Sequence, residues 1–481
     1  MFNLKKKFKD FTKKHRNQQS GEVIIFELIV IFILTVVMGA VLANAAIQYR
    51  VLRSSESKEQ AFHIAEAGIN YYQWHLAHFT TDFQDGTGSA PTTQTGFTNP
   101  CYMHTFTDKD TNTVIGKYCL EITAPLVGST IVTIKSTAYT TAAPNVKRVI
   151  TTRFGVPSLA KYAFLTNSDV WVGDTESVSG AMHANGGIRF DGTGNAPITS
   201  AKTTYTCQTY HGCGPTTKPG IWGTAAQATK NFWQYPQPNV DFSAMTADLA
   251  TLKTSAQSGG KYLAPSNAQG YSLVFNSNST YSIYKITSLR SHGTGYDVNG
   301  VAHSEDLDYS ARTLLSTQAL PTNGVIYVED RTWVEGTISG RVMVVAAKLP
   351  YNASTAPSII IPSNITYTAF DGTVSLGLLA QQDILISYYA PDTLTIDAAM
   401  IAQNGSAQMY NFSGNVKDTI NIYGTVASYG TWTWSWVSGG GTTVSGYTST
   451  NTTYDSNLLY APPPSFPLTN GGYQQISWVS N

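Results

Sequence analysis

The chain has 481 residues, 30 Lys or Arg against 30 Asp or Glu, 12 % charged and 12 % aromatic residues, and four cysteines. Its zero net charge is uneven: beyond the first 21 residues, 23 basic face 29 acidic residues with no dense Lys/Arg stripe, which excludes a nucleic-acid-binding surface in the main body. Few charges with abundant Ser, Thr, Asn, Gly and Tyr suit β-structure outside the cell better than a cytosolic enzyme, in two or three domains.

Residues 1–21 carry seven Lys or Arg and one Asp. Residues 28–47 hold no charge, long enough to cross a bilayer core of roughly 30 Å as a helix. The basic flank sets the orientation, N-terminus cytoplasmic and bulk outside. A secretory signal peptide fits poorly, because the apolar run exceeds an h-region. No Pro interrupts the next thirty residues, where Ala61, Ala65, Gly68, Tyr72, Leu76 and Phe79 recur at three- and four-residue steps. One continuous helix over 22–79 is predicted, oily first and amphipathic after. Gly39, Ala43 and Ala46 form a small-residue stripe that lets a second helix approach or faces lipid.

This stretch resembles the N-terminus of type IV pilins and minor pilins: a basic leader ending in Gly, an apolar helix with one early Glu, then an amphipathic half. EQAFHIAEAGINYYQW (59–74) resembles the QAFxxAEAG-type stretch of minor pilins involved in pilus assembly. The resemblance implies cleavage by a prepilin peptidase between Gly21 and Glu22, and pairing of Glu27 with a neighbouring subunit's new N-terminal amine. Glu27 would then be the sixth residue where the family's glutamate is fifth, and Glu22 stands where the family has an apolar residue. The other reading is an uncut single-pass anchor with Glu27 reaching back to water.

Residues 80–100 read as a connection and 80–157 as a small β domain, with strands in GKYCLEITA, STIVTIKSTAYT and KRVITTRFGV. The local pairs Cys101/Cys119 and Cys207/Cys213 are expected to form disulfides outside the cell. Cys-x3-His-x-Cys at 207–213 lacks a fourth zinc ligand at suitable spacing.

From 158 to 481 an internal frame recurs: VSGAMHA (178–184), VEGTISG (334–340), IDAAMIA (396–402) and IYGTVAS (422–428). Apolar residues beside small ones in short strands stack into a shared core. The predicted fold class is α+β, mainly β: a long pilin-like helix, a small β unit, then a right-handed parallel β-helix with a large insertion at about 195–322; a β-sandwich is the alternative. VSGAMHANGGIRFDG (178–192) resembles the opening coil of β-helical minor pilins, and YDSNLLYAPPPSFP (454–467) the way those proteins close. The excursion holds a helix candidate at 241–257 and a loop-like stretch at 287–309. Asp297, Asn299, Glu305, Asp306 and Asp308 in that stretch lack calcium-loop spacing and read as a solvated acidic loop.

No histidine shares a short motif with a Ser or Cys nucleophile, and His183 reads as a corner residue. No catalytic residue, metal or cofactor is expected. Trp432, Trp434 and Trp436 alternate, so in a strand they project to one side, either as a surface platform for a glycan or protein partner or as a cap on the solenoid's end. The favoured function is a minor pilin-like subunit for assembly priming or adhesion, with other pilins, the inner-membrane assembly machinery and prepilin peptidase as partners. The alternatives are a membrane-anchored carbohydrate-binding protein or polysaccharide-active enzyme, and a secretion-system pseudopilin.

Overall fold

The computed structural model describes residues 4–242, 248–439, 441–469 and 471–480, with side chains from residue 23 onward. Two compact units emerge: residues 1–122, 134–152 and 478–481, and residues 123–133 and 153–477.

In the first unit, helix α1 runs unbroken over Leu4–His78. Its apolar side chains from Val23 to Leu52 are exposed. An 18-residue window reaches a mean hydropathy of 2.9, so by length and composition this helix can cross a membrane. From residue 61 the environment changes, and Ala61, Ile64, Ala65, Gly68, Ile69, Tyr72 and Leu76 are buried. At 3.6 residues per turn these positions form one stripe. Phe79 falls past the helix end and is 52 % exposed, so it drops out of the predicted face. The stripe packs on a sheet ordered β1 (Tyr102–Thr107), β2 (Val114–Thr123), β3 (Val132–Thr140), β4 (Ala143–Gly155) and the C-terminal strand Gln474–Ser480. Gly68 permits the close approach: a Cβ there would sit 2.7 Å from both Ser136 Oγ and Tyr118 Cδ2. The Cys101–Cys119 disulfide ties the residue before β1 to β2.

The second unit is a stack of short parallel strands joined by corners. One ladder runs through 261–263, 325–328, 341–346, 375–380, 399–402, 425–428, 164–166, 182–184, 198–200 and 233–234, every pairing parallel. Inward side chains align in register as Ile326, Val344, Leu378, Met400, Val426, Phe164, Met182 and Ile198, and all lie in one core cluster. The opposite face is also apolar. Val325, Tyr327, Met343, Val345, Leu379, Ile401 and Leu165 are covered by Leu249, Leu252 and Ala256 of a helix and by Leu458 and Phe466 of the C-terminal tail. Burial on both faces explains why these strands read as continuous apolar runs. Antiparallel sandwich sheets would not produce such a ladder.

Chain order and stacking order differ. The last full coil, 425–454, stacks on the first, 164–179, through Val426↔Phe164 and Thr452↔Val178. From that seam the early coils build outward to 233–234, and the later coils build from 325 back toward it. Within the expected excursion, 198–200, 221–222 and 233–234 pair in parallel with the early coils and 271–275 with 332–336, whereas 204–219 and 280–319 leave the stack as antiparallel hairpins. The connection between the two ends carries the helix Leu249–Gln257, whose first N–H groups are capped by Asp248. The expected helix over 241–257 is thus shorter, with 243–247 outside the described residues. Of the stretch expected as a loop, 287–290, 295–296, 302–303 and 308–309 are strand.

Three repeat frames share one corner, with Ile396↔Ile422, Ile422↔Thr452 and Thr452↔Val178 in register. The fourth is out of phase by two residues: Gly336 pairs with Ile365, which pairs with Ile396. Gly180 and Gly424 turn that shared corner at φ +137° and +143°, conformations that L side chains disfavour. The tail at 461–466 is held by Arg341, whose guanidinium donates to the carbonyls of Val127, Gly372 and Pro462.

Candidate functional site

Gly21 lies within the helical backbone of α1, and the side chains of residues up to Glu22 fall outside the described set. Glu27 is exposed on α1 between Phe26 and Leu28, themselves 68 % and 61 % exposed. Both cysteine pairs are disulfides. Cys207–Cys213 closes the loop of a hairpin formed by Thr204–Cys207 and Thr216–Pro219.

The three tryptophans form no surface platform. Trp432 and Trp434 are 2 % and 0 % exposed within the solenoid core, and Trp436 is half-buried, donating Nε1–H to Met409 O. Nor do they cap an end, since they sit at the seam, where Trp432 stacks on Phe164 at 4.0 Å. Trp432 and Trp434 lie before the strand Ser435–Val437 and both enter the interior. The acidic stretch is solvated at Asn299 and Glu305, while its other carboxylates are engaged by backbone N–H groups. Asp297 Oδ1 accepts the N–H groups of Asn299 and Val301, Asp306 accepts His292 N–H, and Asp308 is buried and accepts Tyr389 N–H. Among the described residues no group of three His, Cys, Asp or Glu is placed to hold a metal. His183 is buried between Thr199 Oγ1 at 2.8 Å and Asn185 Oδ1 at 3.1 Å. Burial depresses its pKa, favouring a neutral structural ring.

What the sequence did not single out is a cleft of about 880 Å³ at one corner of the early coils. Successive corners contribute Tyr429; Asn167, Ser168 and Asp169; Asn185 and Gly186; and Lys202, while 239–242 forms the facing wall. Asn185 fixes that wall. Its Nδ2 donates to Val240 O and Asn167 Oδ1, both at 2.8 Å, and its Oδ1 accepts Val240 N–H at 2.8 Å. Thr166 Oγ1 donates to Gly430 O at 2.7 Å, pinning the Tyr429 turn beside Asn167. Asp169 accepts Gly187 N–H, and burial raises its pKa against the opposing pull of that bond and of Lys202. Tyr429 is 49 % exposed and meets Phe242 edge-on at 6.3 Å. An exposed ring, amides and a carboxylate on a pinned frame can recognise a polar ligand without any reacting group. The signal for the cleft was an 18-residue echo, FLTNSDVWV at 164–172 against MHANGGIRF at 182–190, which pairs in register.

On the neighbouring face, Trp171, Arg189 and Trp222 stand on adjacent strands in register. The guanidinium lies 4.1 Å from the Trp171 ring centroid and 5.3 Å from that of Trp222. Arg189 also bonds Asp191 and His211 O, so its charge is satisfied within the fold.

No protein-family model matches the chain, and no curated protein matches it. Among solved structures it is similar to the competence-associated pilin ComZ from Thermus thermophilus, at 12 % identity and a TM-score of 0.29 over 88 % of this chain and 97 % of that one. Similarity at that level does not by itself assign a function.

Proposed function

We propose that the protein is a minor type IV pilin-like subunit whose α1 enters the membrane or a filament and whose coil stack is displayed at the pilus tip or cell surface. The observation that carries this reading is the continuity of α1. One 75-residue helix exposes apolar side chains from Val23 to Leu52 and buries a stripe against its own sheet from Ala61 to Leu76. A simple anchor needs an apolar span and a flexible linker, whereas a rigid helix shared between a bilayer and a folded unit suits lateral packing against other such helices. Glu27 stands among exposed apolar residues, where an ionisable group calls for a partner, and a neighbouring subunit's N-terminal amine supplies one. Assembly priming and adhesion are the roles that such a subunit performs without chemistry of its own.

The test is N-terminal sequencing of the protein recovered from its native cell surface. A start at Glu22 supports prepilin processing. An intact Met1 on protein confined to the membrane fraction refutes the filament reading and leaves a surface-anchored coil stack.

A further inference from the structure

We propose that the cleft between Tyr429, Asp169, Lys202 and the 239–242 wall is a binding site for a short, uncharged oligosaccharide. Its volume, about 880 Å³, falls within the roughly 300–1,000 Å³ range of ligand-binding clefts. Lys202 faces the Asp169 carboxylate across the lining, a balance of one charge of each sign that gives phosphate and other anions no net attraction. What remains is chemistry for hydroxyl groups. Asp169 uses Oδ1 on Gly187 N–H, leaving its second oxygen as an acceptor. Asn167 receives a bond from Asn185 on Oδ1, leaving its amide hydrogens to donate. Lys202 has no carboxylate within ion-pair distance among the described residues and can donate from its ammonium. Tyr429 offers a half-exposed ring, whose face takes the apolar C–H side of a pyranose while the sugar's rim is hydrogen-bonded.

The spacing favours a chain over a single sugar. Tyr429, Asn167, Asn185 and Lys202 lie on four successive corners of the parallel ladder. Neighbouring strands are ~4.8 Å apart, so three steps span roughly 14 Å. That step is of the same order as the repeat of a pyranose chain, so consecutive sugars meet equivalent corners. Asn185 holds the facing wall through both ends of its side-chain amide, so the cleft is formed before a ligand arrives and binding avoids the cost of ordering it. No lining residue belongs to α1, so the inference stands or falls separately from the subunit reading.

The experiment titrates the full chain in detergent with cellotriose, chitotriose and maltotriose, and with inorganic phosphate as the anionic control, by isothermal calorimetry. Tyr429→Ala removes the ring, and Asp169→Asn keeps an acceptor for Gly187 while removing the charge. Circular dichroism confirms that both variants keep the wild-type fold. The expected result is saturable binding of at least one trisaccharide, about tenfold weaker in each variant, equivalent to about 1.4 kcal/mol. Absence of saturation by all three up to about 10 mM, saturation that Tyr429→Ala leaves unchanged, or tighter binding of phosphate than of any sugar would overturn the proposal.

Discussion

Removing the two rings at the seam tests whether the first coils rest on the last. Phe164 and Trp432 are 0 % and 2 % exposed, and their rings stack at 4.0 Å with an interplanar angle of 13°. Truncating a buried ring of this size to alanine costs about 3–5 kcal/mol. A stacked pair contributes about 0.5–1.5 kcal/mol beyond its buried area. Phe164→Ala and Trp432→Ala should each lower stability by the larger amount, and the double variant should fall short of their sum by at least the smaller one. The assay is urea denaturation of the full chain in detergent, followed at the β-sheet circular dichroism band, as a double-mutant cycle. Single costs that add to within about 0.3 kcal/mol would mean that the rings do not meet. Residues 164–179 would then not rest on 425–454.

Gly68→Leu forces a side chain against Ser136 and Tyr118 and should destabilise the helix–sheet contact by about 1–3 kcal/mol; unchanged thermal unfolding would contradict that close approach. Glu176 is buried with Oε2 unpartnered, and burial pushes its carboxyl up from 4.5 to about 8. The unfolded chain releases this proton near pH 4.5 while the folded protein keeps it, so stability falls as pH rises from 4.5 to about 8 and then levels off. Glu176→Gln should therefore stabilise more at pH 8 than at pH 5, and parallel pH profiles for both proteins would count against burial of that carboxyl. Cys207→Ser opens a short loop whose closure contributes about 2 kcal/mol. Limited proteolysis should then cut within 204–219, and unchanged resistance would indicate that the hairpin pairing alone suffices.

Local patterns were legible where local physics decides them. The change of α1 from oily to amphipathic is written in its spacing, and Ala61, Ala65, Gly68, Tyr72 and Leu76 were all identified as its buried face. The strands 341–346 and 375–380 are written as nearly unbroken apolar runs because both faces of the ladder are covered. The order of the coils was not legible. Nothing near Phe164 announces that its neighbour is Val426, because a contact that closes a stack over more than 250 residues of chain leaves no periodic trace. Alternation at Trp432, Trp434 and Trp436 did not tell inside from outside, because the interior of a stacked coil takes alternate residues as a surface strand does. Of the acidic stretch at 297–308, Asn299 and Glu305 are exposed as expected, whereas buried Asp308 was not legible, because a carboxylate that accepts backbone N–H groups carries the same sequence signature as one facing water. The cleft escaped notice because its residues come from four separate corners and a connecting segment, and only the 18-residue echo links two of them.

The proposed packing of α1 with like helices in a filament is tested most directly by mechanical shearing of the native cells. Surface filaments are sheared off, separated from the cells, and probed for this protein beside the membrane fraction. The account predicts that the protein is present in the filament fraction and that Leu34→Asp, placed in the exposed apolar half of α1, removes it from there. Retention of the whole wild-type population in the membrane fraction would contradict the account.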